Sequence, residues 1–273
     1  MQYVELHARS AFSFLEGASV PEALAYACLQ QELPAMALLD RNGVYGSARF
    51  HLTTKANKIK AHVGAELSVS GTPSENTPYF PLLVAERTGY QNLCRLVTKT
   101  KLRAPKNKPA AATLTELEAH AEGLVCLTGD EDGPLAHALR TGGKENARRL
   151  LRQLVSVFGP GGVYIELQRH RNREQEQRNH AAIELARELR LPLLATNGVL
   201  YAEPHEREVL DALTCIKHKC LLDEAGTRLQ RNSERHVRSG AEMSRLFADL
   251  PEAVANTIEL ASRLNFTLEN RGY

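Results

Sequence analysis

Imidazole and carboxylate groups stand at or near the ends of several strand-like runs. His7 and Asp40 each end such a run, and Glu66 lies inside a third. These groups hold divalent metals and transfer protons, and a metal needs ligands that approach from several directions. Taken one at a time, His7 could also be a core histidine bonded to backbone, and Asp40 could hydrogen-bond the Asn42–Gly43 turn. Neither residue type alone therefore assigns a reaction.

Several other chemistries find no support in the chain. No G-x-G-x-x-G and no P-loop follows a strand-like run, no G-x-S-x-G elbow occurs, and no Asp-x-Asp pair lies on a strand. The five cysteines are scattered and include no C-x-x-C pair, which indicates reduced thiols rather than a disulfide framework or a zinc knuckle.

Composition bounds the class of protein. The 273 residues are 43% hydrophobic and 24% charged, with a formal net charge of +2, which is ordinary for a globular chain. This balance does not suggest a surface that grips nucleic acid everywhere. We see no apolar run long enough to span a membrane and no signal-peptide core, so we predict a cytoplasmic protein without a membrane partner.

Strand-like runs alternate with helical patterns in the first three quarters of the chain. This alternation predicts an α/β fold with a mostly parallel sheet, and about seven repeats favour closure into a barrel over an open doubly wound sheet. We predict a barrel over residues 1–203 and a helical extension over 204–273, with helices at 205–216 and 243–264. The predicted strands are 3–7, 35–40, 61–69, 80–85, 124–128, 163–167 and 193–196. The predicted helices of the barrel are 21–32, 45–57, 89–101, 114–121, 144–157 and 174–190.

Ordered sequence blocks resemble a known family. The opening ELHARSAFSFLEGAS is similar to the start of PHP (polymerase and histidinol phosphatase) domains, where a strand ends in His-x-His and an aromatic-Ser-Leu-Leu-Asp-Gly segment follows. GYQNLCRLVT, YIELQRHRNREQEQRN and the tail LPEAVANTIELASRLNFTLEN resemble the PHP domain of bacterial C-family DNA polymerase III α subunits. The first block is typical of the error-prone branch. The resemblance covers essentially the whole chain and implies a distorted (βα)7 PHP barrel with a C-terminal helical extension.

The family's metal site is only partly present. PHP domains hold up to three divalent metals at the C-terminal mouth of the barrel. By the resemblance, the retained candidates are His7, Glu66, Asp130 and His170, which could form a residual site for one zinc, manganese or iron ion.

The lost ligands are equally informative. Arg9 and Arg41 stand where the family has histidines, and Gly198 and Leu200 replace a late Asp-x-His pair. A guanidinium stays protonated and has no lone pair for a metal. It can, however, neutralise carboxylates that lack their metal. We therefore expect Arg9 to pair with Glu66 and Arg41 to pair with Glu16, each in place of a lost cation.

Three functions remain open at this point. The first is a mainly structural domain that packs against the polymerase body of a longer parent chain, where magnesium and DNA would bind. The second is a metal-dependent phosphoesterase, either a 3′–5′ exonuclease or a promiscuous phosphatase. The third, a free-standing sugar or histidinol phosphatase, requires the missing ligands.

Overall fold

Seven strands form one sheet in the order in which they occur along the chain. The computed structural model describes residues 2–70, 77–105 and 110–270. The strands are β1 (Glu5–Ala8), β2 (Ala35–Arg41), β3 (Lys60–Ser68), β4 (Tyr79–Val84), β5 (Leu124–Leu127), β6 (Val163–Leu167) and β7 (Leu193–Ala195). The helices are α1 (Pro21–Gln30), α2 (Ser47–Ala56), α3 (Arg87–Arg103), α4 (Leu114–Glu118), α5 (Pro134–Phe158), α6 (Arg173–Leu189), α7 (Arg207–His218), α8 (Leu222–Ala225), α9 (Gly240–Leu246) and α10 (Pro251–Arg263).

The sheet is mostly parallel, as predicted, with one reversed strand. β4 runs antiparallel to β3 and to β5, while the other four pairs are parallel. The start of β4 therefore lies beside the C-terminal end of β3, where Tyr79 pairs with Ser68. The reversal brings Tyr79 to the same edge as the groups that end the parallel strands.

The sheet curls until its first strand reaches the segment beyond its last. Arg9 donates its backbone N–H to the Val199 carbonyl, and Val199 donates to the His7 carbonyl, each over 2.9 Å. Apolar side chains of six strands fill the inside of the curl, and the helices cover the outside with a second apolar layer. The α/β fold of barrel type expected from the alternation is confirmed, in the form of a curled seven-stranded half-barrel.

Two predicted helices differ in extent. The helix expected at 144–157 begins ten residues earlier, at Pro134, and is interrupted at Gly142 and Gly143, whose backbone angles are not helical. The helix expected at 243–264 is two helices, since Pro251 occupies the first turn of α10, a position where its missing N–H costs nothing.

The C-terminal extension folds back onto the barrel at both ends. At one end, Leu200 donates its N–H to the Arg235 carbonyl and Val237 donates to Ala202, so that this segment lies alongside residues 200–202. At the other end, Leu260 of α10 and Leu264, which follows that helix, join the apolar cluster inside the curl. No helix within the described ranges is long and apolar enough to cross a membrane.

Candidate functional site

Charged side chains meet where the parallel strands end. Three cationic side chains and three carboxyl groups are buried together there, and each residue is at most 5% exposed. We call this set the buried ion cluster: His7, Arg9, Glu66, Asp130, Glu166 and Arg235.

His7 enters the cluster through an irregularity in β1. The register between β1 and β2 shifts between Glu5 and Ala8, which marks a bulge, and bulges redirect side chains near functional sites. The buried Glu5 carboxylate accepts the His7 N–H over 2.8 Å and also binds the Tyr3 hydroxyl and the Asn197 N–H. Burial raises the pKa of Glu5 to about 7, although these donors oppose the shift.

The His7 ring bridges two carboxylates. Its Nδ1 lies 2.6 Å from Glu166 Oε1 and its Nε2 lies 2.6 Å from Glu66 Oε1. Burial alone lowers the pKa of His7, but the charges of Glu166 and Glu66 outweigh it and raise the pKa to about 10. His7 is therefore an imidazolium at neutral pH, with no lone pair on either nitrogen.

Arg9 makes the expected contact with Glu66. Its Nη2 donates to Glu66 Oε1 over 2.9 Å, and its Nε lies 2.5 Å from Oε2 in ion-pair contact without hydrogen-bond alignment. Burial raises the pKa of Glu66, but Arg9, His7 and Arg41 together hold it well below its usual range. The carboxylate that would bridge metals in the family instead binds cations of the protein.

Asp130 is held by a cation from the C-terminal extension. Arg235 Nη2 donates to Asp130 Oδ2 over 2.6 Å, and Arg9 donates to the same oxygen over 3.2 Å. Burial raises the pKa of Asp130, but Arg235 and Arg9 outweigh it and hold the pKa well below the usual range. Arg235 also donates to Gln168 Oε1 over 3.0 Å.

Arg41 closes the rim of the cluster. Its Nη1 lies 2.8 Å from Glu16 Oε2, its Nη2 2.5 Å from Asp132 Oδ2 and its Nε 3.2 Å from Glu66 Oε2. Its guanidinium also stacks on the Tyr79 ring, 3.9 Å from the centroid. Both expected arginine–glutamate contacts are thus present in the structure.

His170 forms no hydrogen bond with the other three candidate ligands and binds Asn197 and Gln175 instead. Its Nε2 lies 2.9 Å from the Asn197 carbonyl and therefore carries the proton, while Nδ1 accepts from the Gln175 amide over 3.0 Å. Burial and the charge of Arg235 lower the pKa of His170 to about 3. Both ring nitrogens of this neutral imidazole are committed.

Asp40 holds a different loop from the one expected. It accepts hydrogen bonds from the Ser10 N–H and hydroxyl, the Ser13 hydroxyl and the Gly46 N–H, all within 2.9 Å. A Cβ at Gly46 would lie 2.7 Å from the Asp40 carboxylate, so this approach requires glycine. The interpretation that Asp40 binds the Asn42–Gly43 turn is wrong, because its oxygens bind the loop after β1 and the Gly46 N–H just before α2.

A side chain at the late family ligand position would have to displace Gln168. Gly198 has φ +54°, and a Cβ there would lie 2.4 Å from Gln168 Oε1. The Gln168 amide fills this space and donates to Glu166 Oε1 over 2.9 Å. Leu200 is buried against Tyr201 and Leu210.

The residues present do not fit a metal ion. Within residues 2–70, 77–105 and 110–270, no three His, Cys, Asp or Glu side chains are grouped so as to hold one. None of the four retained candidates is free to bind a metal. His7 is protonated, guanidinium groups bind Glu66 and Asp130, and both nitrogens of His170 form hydrogen bonds. Glu166 Oε2 is a buried oxygen without a hydrogen-bond partner among the described residues, and a neighbouring cavity of about 10 Å³ has room for a single water. One free oxygen is fewer than any metal site needs.

Sequence reasoning missed three members of this arrangement. Glu166 and Gln168 lie in the ELQ block that carried the resemblance, at the end of a predicted strand, so the sequence could have identified them as candidate site residues. Arg235 lies in a polar, turn-rich segment 105 residues from Asp130, and no local pattern singles it out.

Comparisons with known proteins agree with this fold and with the sequence blocks. The chain is similar to error-prone DNA polymerases of Mycolicibacterium paratuberculosis (38% identical over 272 residues, 97% of this chain and 25% of the relative) and of Anaeromyxobacter sp. strain K (36% identical over 274 residues, 98% of this chain and 23% of the relative). The chain thus spans about a quarter of the length of these relatives.

Solved structures show the same type of fold. A putative metal-dependent phosphoesterase from Bifidobacterium adolescentis superposes with a TM-score of 0.51 at 13% identity, covering 72% of this chain and 87% of that one. An amidohydrolase from Chromobacterium violaceum, with bound sulfate and no metal, gives 0.53 at 14% identity, covering 72% of this chain and 86% of that one. The PHP domain model matches residues 5–170. The chain is therefore a member of the PHP domain family, homologous to the error-prone DNA polymerases.

Proposed function

We propose that this chain is the PHP domain of a longer error-prone-type DNA polymerase and that it acts there as a structural domain, in the cytoplasm, with DNA bound through the parent polymerase. Nucleotidyl transfer and its magnesium ions belong to the three quarters of the relatives outside the matched segment. Asp130 and Asp132 do form an Asp-x-Asp pair, but it lies in the turn after β5 and arginines bind both carboxylates.

The observation that carries this proposal is the replacement of metal cations by cations of the protein. Arg9 and Arg41 stand at family histidine positions, and Arg235 adds a third guanidinium. Buried carboxylates need compensating charge, and a covalently attached guanidinium supplies it without a metal. The cluster links the ends of four strands to the extension, so its role is to stabilise the fold.

A residual zinc, manganese or iron ion on His7, Glu66, Asp130 and His170 is the competing arrangement. His7 would have to lose a proton that two carboxylates hold in place. Glu66 and Asp130 would have to give up their ion pairs with Arg9 and Arg235, whose guanidinium groups are both buried. His170 would have to break its bond with Asn197 or with Gln175.

Elemental analysis combined with a phosphoesterase assay tests the proposal. We expect less than one metal per chain after purification and no hydrolysis of an aryl phosphate with added manganese or zinc. Glu66→Ala should change neither readout and serves as the matched control for contaminating phosphatase. Two or more bound metals, with activity that Glu66→Ala abolishes, would establish the phosphoesterase function instead.

A further inference from the structure

Helix α7 presents an apolar stripe to solvent. Val209 is 48% exposed and Ile216 is 62% exposed, and the exposed Ala212 and half-buried Leu213 lie between them. These four positions follow the spacing i, i+3, i+4, i+7, which places them on one side of the helix. The buried residues of α7 are only Leu210 and Asp211. The apolar face of this amphipathic helix therefore points away from the barrel.

Two further exposed leucines and several charged residues follow or adjoin the stripe in the sequence. Leu221 and Leu222, just beyond α7, are 70% and 58% exposed. Charged side chains flank these apolar groups: Glu208, Lys217, Lys219, Asp223 and Glu224. An apolar centre with a polar rim is the usual anatomy of a protein interface, and a contiguous exposed apolar patch marks an interaction site.

Helix α7 is attached to the barrel next to the rim of the buried ion cluster. Leu210 packs against Leu200 and Tyr201, next to the edge of the curled sheet. At the other end of the helix, Lys217 forms an ion pair with Glu16, which in turn binds Arg41 over 2.8 Å. These contacts of Leu210 and Lys217 hold α7 on the barrel with its stripe facing solvent.

We propose that the α7 stripe docks against the part of the polymerase that lies outside the matched segment. This inference rests on the proposed function. The relatives carry about three quarters of their length beyond the segment that this chain matches, so a covalently linked partner is available. Linkage within one chain gives the partner a high effective concentration, so even a stripe of this size is enough for stable docking.

The experiment compares two lengths of the same protein. Val209→Glu combined with Ile216→Glu places charges in the stripe, and Leu102→Glu on α3, where Leu102 is 82% exposed, is the matched control. Each variant is made in the 273-residue chain and in the polymerase chain that carries it. The readouts are thermal unfolding, sedimentation, and the rate at which limited proteolysis releases the domain.

The expected result differs between the two lengths. In the 273-residue chain neither variant should shift the unfolding temperature, because the altered side chains are already exposed. In the polymerase chain the α7 variant should be released roughly tenfold faster than wild type, since charges oppose burial of the stripe, and the control should not change.

Three outcomes would overturn the inference. Equal release rates for all chains would show that the stripe is not covered in the polymerase. Destabilisation of the 273-residue chain would show that the stripe belongs to the domain's own packing. A dimer of that chain that the α7 variant dissociates would assign the stripe to a second copy. None of these outcomes bears on metal content or hydrolysis, which test the structural role itself.

Discussion

Removing the Arg235 guanidinium should destabilise the whole fold, because it leaves Asp130 with too little compensating charge. Arg235→Met keeps much of the side-chain length and removes the 2.6 Å contact with Asp130 and the 3.0 Å contact with Gln168. Breaking a buried ion pair by removing one partner costs about 3–5 kcal/mol. Asp130 retains Arg9 at 3.2 Å and the Asp132 N–H at 3.0 Å, so we expect a loss near the low end, about 3 kcal/mol.

The loss should be coupled to the charge of Asp130. Asp130→Asn removes the charge that Arg235 compensates, so the double variant should be clearly more stable than the sum of the two single losses predicts. Contacting residues in one ion network show interaction free energies of about 0.5–3 kcal/mol in such cycles, and we expect a value of about 2 kcal/mol here.

Equilibrium unfolding in urea, followed by far-ultraviolet circular dichroism, provides the measurement, since the chain contains no tryptophan. Arg231→Met is the matched control in the same segment, because Arg231 is exposed and lies 3.4 Å from an exposed Glu174, so its midpoint should not change. A loss below about 1 kcal/mol for Arg235→Met, or strict additivity with Asp130→Asn, would refute the idea that Arg235 stabilises the fold by neutralising the buried charge of Asp130.

Two further predictions concern the same cluster. The folded pKa of His7, about 10, lies above its unfolded value of about 6.5, so its stabilisation is complete below that lower pH and is lost as the pH rises through 10. The free energy of unfolding should therefore fall by on the order of 2–4 kcal/mol between these limits, and His7→Gln should flatten the curve; a flat wild-type profile would contradict the buried imidazolium. Gly198→Asp, which restores a family ligand, should cost about 2–4 kcal/mol because of the positive φ and the clash with Gln168, without raising metal content. Gln168→Ala should recover part of that loss in urea unfolding, and a Gly198→Asp protein as stable as wild type would show that the space is not filled.

The sequence predicted most elements of the fold and part of the site. Apolar runs separated by helical patterns identify β2, β6 and α6 within a few residues, because burial of a strand or of one helix face leaves a local periodicity. The direction of β4 and the break at Gly142 and Gly143 were not predicted. Both depend on how distant parts of the chain pack, which local periodicity does not record.

The amino-acid sequence by itself determined the family, the general architecture and the presence of arginines at two family histidine positions. Residue type alone establishes that Arg9 and Arg41 cannot ligate a metal, since a guanidinium keeps its protons. The family comparison also suggested Glu66 and Glu16 as their partners. Only the tertiary structure decided that Arg9 also binds Asp130 and Arg41 also binds Asp132, that a bulge turns His7 into the cluster, and that Arg235 completes it. Asp130 and Arg235 are far apart in the chain and meet only because the extension folds back beside residues 200–202, so their pairing follows from long-range packing rather than from any pattern in the sequence.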